Sequence, residues 1–144
     1  MLKRVDVASA LIYDRSKHML LMVKNTKKDS SYWSLPGGAV EANETLAQAV
    51  VRETREETGY EIEPGGIYSV RELFLAGSGH HAIIFTFLAR ITGGAMEVDD
   101  PDGDITEVRW MELREANALM PGVPDITIES LDTLSALYRF EAEG

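Results

Sequence analysis

The chain has 144 residues, 44% of them hydrophobic and 26% charged, with a formal net charge of −10 and no cysteine. This length and composition suit a single soluble domain spanning residues 1–144, and the missing thiols exclude disulfides, thiolate zinc sites and cysteine nucleophiles. Excess acidity disfavours a long DNA or RNA partner, because grip on that backbone depends on neutralising phosphates with Lys and Arg; small phosphorylated ligands stay open, since a bound cation reverses the local field.

In chain order, Val5 to Tyr13 alternates loosely between apolar and polar residues and Met19 to Val23 is continuously apolar, so the pair reads as a β-hairpin. No apolar run approaches the roughly twenty residues of a membrane span, and Met1-Leu2-Lys3-Arg4 does not lead into a signal-peptide core; a cytoplasmic location is the expectation. Asn25 to Ser31 reads as a mobile loop, followed by Trp33-Ser34-Leu35-Pro36 and the paired Gly37 and Gly38. Two glycines permit a tight turn and a close approach of backbone to ligand, which makes the Gly37 carbonyl a candidate metal donor.

A helix follows, with Asn43 as its expected cap, Glu44 in its first turn and Gly59 as its stop. Its wheel places Leu46, Ala47, Val50, Val51 and Thr54 on an apolar arc, and Ala49, Glu53 and Glu56 on the adjacent face with Glu57 at the border. Glu53, Glu56 and Glu57 are three and four positions apart, so at roughly 100° per residue they project from one side. Like charges so placed destabilise a helix, and a divalent cation is the simplest reason to gather them. Ile67 to Leu75 and His81 to Ile91 read as further strands, Ile105 to Met111 as another, Glu112 to Leu119 as a short helix, and Ile126 to Phe140 as an amphipathic helix. The acidic run Asp99 to Asp104 has no phase matching a calcium-binding EF-hand loop, which rejects that motif. Strands and helices in this order imply an α/β sandwich, a mixed sheet between helices.

Gly38, Glu44, Arg52, Glu53, Glu56, Glu57 and Gly59 match every charged and glycine position of the Nudix box: glycine, five residues, glutamate, seven residues, then Arg-Glu-U-x-Glu-Glu-x-Gly-U, U being a bulky aliphatic. Thr54 and Tyr60 depart from the pattern at the two U positions. The segment thus resembles the Nudix hydrolase family, of MutT or ADP-ribose pyrophosphatase type, which implies the Nudix α/β/α sandwich. It also implies hydrolysis, with Mg²⁺ or Mn²⁺, of a nucleoside diphosphate linked to another group, releasing a nucleoside monophosphate. A nucleoside triphosphate and an ADP-ribose-like compound are both open as substrate. The alternative is a nucleotide-binding sensor without turnover.

By the same resemblance Glu53, Glu56 and Glu57 hold the metal with Gly37, Arg52 orients the carboxylates, and Glu44 braces the glycine loop. Box glutamates can serve as the base, but the family often recruits a carboxylate from a later loop; Asp104, six residues before Trp110, ranks ahead of Glu107. The isomerase branch of the family is disfavoured, because its chemistry is similar to one relying on cysteine. His80 and His81 open a strand and are candidates for phosphate contact or for the base, although neighbours point to opposite faces. Lys24, Lys27 and Lys28 are candidate phosphate contacts, and Tyr32 and Trp33 candidate stacking partners for a base. A homodimer is the default assembly.

Overall fold

The computed structural model describes residues 1–143, so Gly144 lies outside the described residues. Strand β1 (Lys3–Leu11) ends in Ala8, Ser9, Ala10 and Leu11, all buried. Small side chains there let other elements pack closely on both of its faces. After it come β2 (Tyr13–Asp14), β3 (Met19–Lys27), β4 (Ser30–Ser34), β5 (Gly37–Ala39), α1 (Leu46–Thr58), β6 (Tyr60–Leu75), β7 (His80–Gly94), β8 (Ile105–Met111), α2 (Leu113–Ala118) and α3 (Ile128–Thr133).

One sheet has the order β5-β1-β7-β6 and is mixed: β1 runs parallel to β7 and antiparallel to β5, and β6 and β7 form a long antiparallel hairpin. The second sheet is built on β3, which pairs antiparallel with β2, β4 and β8. Both edges of β1 are therefore taken, and the hairpin expected between Val5–Tyr13 and Met19–Val23 shrinks to Tyr13↔Leu20 and Asp14↔Met19.

Helix α1 packs against Ala8, Ala10 and Phe87 of the mixed sheet and Leu21 of the second, forming one core. On the opposite side Leu11, Leu20, Met22 and Met111 meet Ala116, Met120, Ile126 and Leu131 from the α2 and α3 region. The result is the α/β/α arrangement, with the strands between helices. Because α1 lies over both sheets, Ala49 is fully buried in the core and not on the open face where the wheel put it.

Four further expectations give way to contacts seen in the structure. The helix cap is Thr45, not Asn43: Thr45 Oγ1 accepts the Gln48 N–H at 3.0 Å and Gln48 Oε1 accepts the Thr45 N–H at 2.9 Å, a reciprocal capping box. Asn43 instead takes a left-handed φ of 65°, and Glu44 precedes the helix. Asn25 to Ser31 is mostly hairpin, with Asn25↔Tyr32, Thr26↔Ser31 and Lys27↔Ser30, since polar side chains on strands facing water do not oppose a ladder. The helix expected over Ile126 to Phe140 covers only Ile128–Thr133. Ala136 then exchanges backbone hydrogen bonds with Ile67 at 2.7 and 2.9 Å, close to Gly66, where a Cβ would strike the Ala136 carbonyl oxygen at 2.8 Å. Pairing at that irregular edge of β6 wins over a continued helix, and Tyr138 packs edge-on against Phe87 at 4.9 Å between centroids.

Gly59 ends α1 at φ 83°, and a Cβ there would meet the Ala95 carbonyl oxygen and, at 2.5 Å, the Glu97 nitrogen. Gly59→Ala is expected to cost about 2 kcal/mol or more. Gly77→Ala, in open space, should cost less than about 0.5 kcal/mol. Urea unfolding midpoints of the two variants test this; equal midpoints would remove the steric argument.

Candidate active site

The C-terminal half of α1 faces β5, and Arg52 organises the charges between them. Its Nε and Nη2 donate to the two oxygens of Glu44 at 2.7 and 3.0 Å, its Nη1 donates to Glu53 at 3.0 Å and Glu56 at 3.3 Å, and Nη2 also reaches the Ala39 carbonyl at 3.2 Å. A planar fork can bridge carboxylates in this way where an ammonium cannot. Glu44 in turn accepts the Glu41 N–H at 3.0 Å, so the loop before the helix is tied to it through Arg52.

Glu57 turns the other way and accepts the Gly37 N–H at 2.9 Å. Gly38 is needed beside it, because a Cβ there would lie 2.5 Å from the Glu53 carboxyl carbon. Gly37 and Gly38 do not form the tight turn expected from the sequence but lie in strand β5, paired with Ser9 and Ala8 of β1, and this strand is the cradle in which the Glu53 carboxylate sits. Arg52 and Glu56 also line a groove of about 1110 Å³ along the outer side of α1, with Gly59, Ala95 and Asp99.

Burial dominates the electrostatics. Glu57, only 7% exposed, has its pKa pushed up to about 8, chiefly by desolvation, which outweighs the Gly37 N–H and is reinforced by Glu53, Asp100 and Glu56. Desolvation also raises Glu53 against the opposing pull of Arg52. Glu44 moves down instead, because its hydrogen bonds to Arg52 outweigh its burial. Arg52 is held still more firmly in its charged form, first by Glu44.

The sequence-derived residues separate into a group that converges and a group that does not. Arg52, Glu44, Glu53, Glu56, Glu57, Gly37 and Gly38 meet at one place. Among the described residues, no three acidic or histidine side chains already form a metal cage; Arg52 occupies the space between Glu53 and Glu56 while Glu57 leans on Gly37. Asp104 pairs with Lys27 at 3.8 Å and its carbonyl accepts the Thr26 N–H, and Glu107 is held by Arg109. His81 bonds Glu72 at 2.7 Å and His80 bonds Ser78 at 3.0 Å, both at the β6–β7 hairpin. Trp33 packs on the second core with the Arg109 guanidinium 5.0 Å from its ring, whereas Tyr32 is exposed. Sequence reasoning missed Asp100, whose charge reaches Glu53 and Glu57. The available signal was Pro101, which restricts the backbone of the residue before it.

Residues 3–130 match the model of the NUDIX domain family. The chain belongs to the Nudix family. It is 33% identical over 110 residues to the 8-oxo-dGDP phosphatase of Mus musculus, covering 75% of this chain and 32% of that protein. It is 27% identical over 108 residues to Nudix hydrolase 5 of Arabidopsis thaliana, covering 74% and 35%. The chain spans about a third of the length of these curated relatives. Among solved structures, a NUDIX hydrolase from Nitrosomonas europaea superposes with TM-score 0.72 at 21% identity, covering 90% and 87% of the two chains. A MutT NUDIX hydrolase from Burkholderia pseudomallei superposes with TM-score 0.67 at 25% identity, covering 92% and 99%. The chain thus has the Nudix fold, with the box running from Gly38 in β5 through α1 to Gly59. No helix among the described residues is long and apolar enough to cross a membrane.

The donor set fits a divalent cation. Glu53, Glu56 and Glu57 offer hard oxygen ligands, and a nearly buried Glu57 that resists ionisation lacks only a counter-charge. A pH dependence follows for the cation-free chain. Folded Glu57 keeps its proton up to about pH 8, while its ordinary value is 4.5, so the stabilising contribution is complete below the unfolded pKa and is lost as pH rises through the folded one. The loss is on the order of a few kcal/mol. Thermal scans in EDTA should show Tm declining between about pH 5 and pH 8, and Glu57→Gln should flatten that slope. A Tm that rises over this window would contradict the assignment.

Proposed function

We propose that this Nudix protein hydrolyses a phosphoanhydride bond in a small nucleoside diphosphate linked to another group, releasing a nucleoside monophosphate, with Mg²⁺ or Mn²⁺ as cofactor. The observation that carries the reading is the linkage of buried carboxylate, glycine strand and bridging arginine: Glu57 to Gly37, and Arg52 to Glu44, Glu53 and Glu56. The name of the mouse relative, 8-oxo-dGDP phosphatase, supports a nucleoside diphosphate as the substrate class; a nucleoside triphosphate and ADP-ribose share the same anhydride and belong to the proposal. Cytoplasmic placement and a homodimer are further parts of it, the latter resting on the prevalence of two-fold assemblies.

Glu53, Glu56 and Glu57, with the Gly37 carbonyl, are the proposed donors. A bound divalent cation would offset phosphate charge and lower the pKa of the attacking water. The chain's own residues set the geometry. Arg52 spaces Glu53 and Glu56 and anchors both to Glu44, so these carboxylates keep their positions as substrate arrives. Gly38 leaves room for Glu53 against β5, and bare Gly37 lets that strand lie close on the backbone of Ala8 and Ser9. Asp104 is the proposed proton acceptor from its place before β8; it would leave its 3.8 Å contact with Lys27 to act. Glu107 ranks behind it because Arg109 already holds its carboxylate.

A product-resolved screen of nucleoside triphosphates, 8-oxo-dGDP, ADP-ribose and dinucleoside polyphosphates with Mg²⁺ should yield monophosphate from at least one compound, and EDTA should abolish it. Tight binding without products across the panel would instead establish the sensor. Glu53→Gln and Glu57→Gln should each lower kcat by about 10² or more with the fold retained. Asp104→Asn should cost roughly 10² to 10⁴ and Glu107→Gln far less; the reverse order would reassign the base.

A further inference from the structure

We propose that Tyr138, in the segment after α3, is a positioning residue of the active site: it sets the first turn of α1 over the mixed sheet, and through that turn the Glu44–Arg52 contact that spaces the box carboxylates. This deepens the function proposed above and rests on it. Tyr138 lies beyond residues 3–130, the span that matches the family.

One side chain holds the segment down. Among residues 132–143, every one but Tyr138 is exposed, and its neighbour Leu137 is 88% exposed. Ala136 aims it: its N–H and its carbonyl both bond Ile67, at 2.9 and 2.7 Å, on the edge of β6. That edge is bare where the segment arrives, because a Cβ on Gly66 would strike Ser135 Oγ and the Ala136 carbonyl. The Tyr138 ring then turns onto the core beneath α1, edge-on to the fully buried Phe87 of β7.

The hydroxyl reaches the helix. The first N–H groups of an α-helix find no acceptor within it. Thr45 Oγ1 takes the Gln48 N–H, and the Ala47 N–H before it donates to Tyr138 Oη at 3.4 Å. Tyr138 therefore touches the sheet with its ring and the start of α1 with its oxygen. Tyr138 to Glu141 also line a cleft with Glu44, Thr45 and Leu46.

This turn bears on the chemistry because Glu44 leads directly into it. Glu44 accepts from both Nε and Nη2 of Arg52, and the same guanidinium holds Glu53 and Glu56. A two-bond fork transmits displacement as well as charge, so a first turn that shifts carries Glu44 with it and re-aims Arg52. The far end of α1 has its own ties, from Glu57 to Gly37 and from the Glu97 and Asp99 N–H groups to the Thr58 and Glu56 carbonyls. Tyr138 supplies the tie at the near end.

The test compares the full chain with Tyr138→Ala, Tyr138→Phe and, as a control on the same segment, Leu137→Ala. NMR follows solvent exchange of the Ala47 amide, the Phe87 amide and the Arg52 Nε–H well below each Tm, and electron paramagnetic resonance measures Mn²⁺ affinity with adenosine 5′-(α,β-methylene)diphosphate. Tyr138→Ala should speed exchange at Ala47 and Arg52 and weaken Mn²⁺ binding by roughly fivefold or more, with Phe87 protection retained. Tyr138→Phe, which folds with its ring in place, should free the Ala47 amide and speed the Arg52 Nε–H by roughly twofold or more, and Leu137→Ala should match the parent. An Arg52 Nε–H that exchanges as in the parent in both Tyr138 variants, whatever happens to Tm, would overturn the proposal and leave Tyr138 a packing residue. Phe87 protection lost along with the rest would also overturn it, because the whole core then loosens. A parent that takes up no Mn²⁺ with the nucleotide analogue would remove the proposed function and this role together.

Discussion

Arg52 is the interaction on which the site depends. Carboxylates gathered at one end of a helix repel, and burial removes the water that would soften the repulsion. One guanidinium answers both problems by bonding Glu44, Glu53 and Glu56 and by reaching the Ala39 carbonyl. The helix, the loop before it and β5 are thereby fixed relative to one another by a single side chain. Glu57 stays outside this network and leans on the Gly37 N–H. The carboxylates therefore outnumber the single positive charge among them, a deficit that a divalent cation would offset.

The fold supplies the rigid setting. Ala8, Ala10, Ala49 and Val50 are fully buried where α1 crosses the mixed sheet, and close packing at such small residues leaves the helix little freedom to shift. That rigid helix meets three backbone segments: the Gly37–Gly38 stretch of β5, the loop of Glu41 to Glu44, and the segment from Ala95 to Asp100. Glycine recurs at these meetings for steric reasons, at Gly38 against Glu53 and at Gly59 against Ala95 and Glu97. Loops placed on such a frame can vary in what they recognise while the charged centre keeps its geometry.

The acidic run from Asp99 to Asp104 shows how like residues acquire different roles from position alone. Asp100 gathers three N–H groups of its own loop, Asp102 lies exposed, and Asp104, half-buried like Asp100, faces Lys27. Nothing in their side-chain chemistry distinguishes them. The distinction comes from the backbone seam between Glu97, Asp99 and the end of α1.

The local pattern alone determined the existence of most strands, the box helix with its stop at Gly59, the α/β/α class, and the gathering of Glu53 and Glu56 on one side of that helix, while the roles expected of Arg52 and Glu44 were implied by the resemblance to the Nudix box. Each of these is set by spacing within a few residues or by steric demands of glycine, which a sequence displays directly. What only the tertiary structure decided involved partners distant in the chain. Strand β1 pairs with β7 and β5 instead of the neighbouring β3, Ala49 is buried because α1 lies over two sheets, and the stripe from Ile126 to Phe140 breaks after Thr133 because Ala136 finds Ile67. Asp100 belongs to the same group. A backbone hydrogen bond to a remote strand or helix end competes with local propensity on equal energetic terms, and no periodicity records which of the two will win.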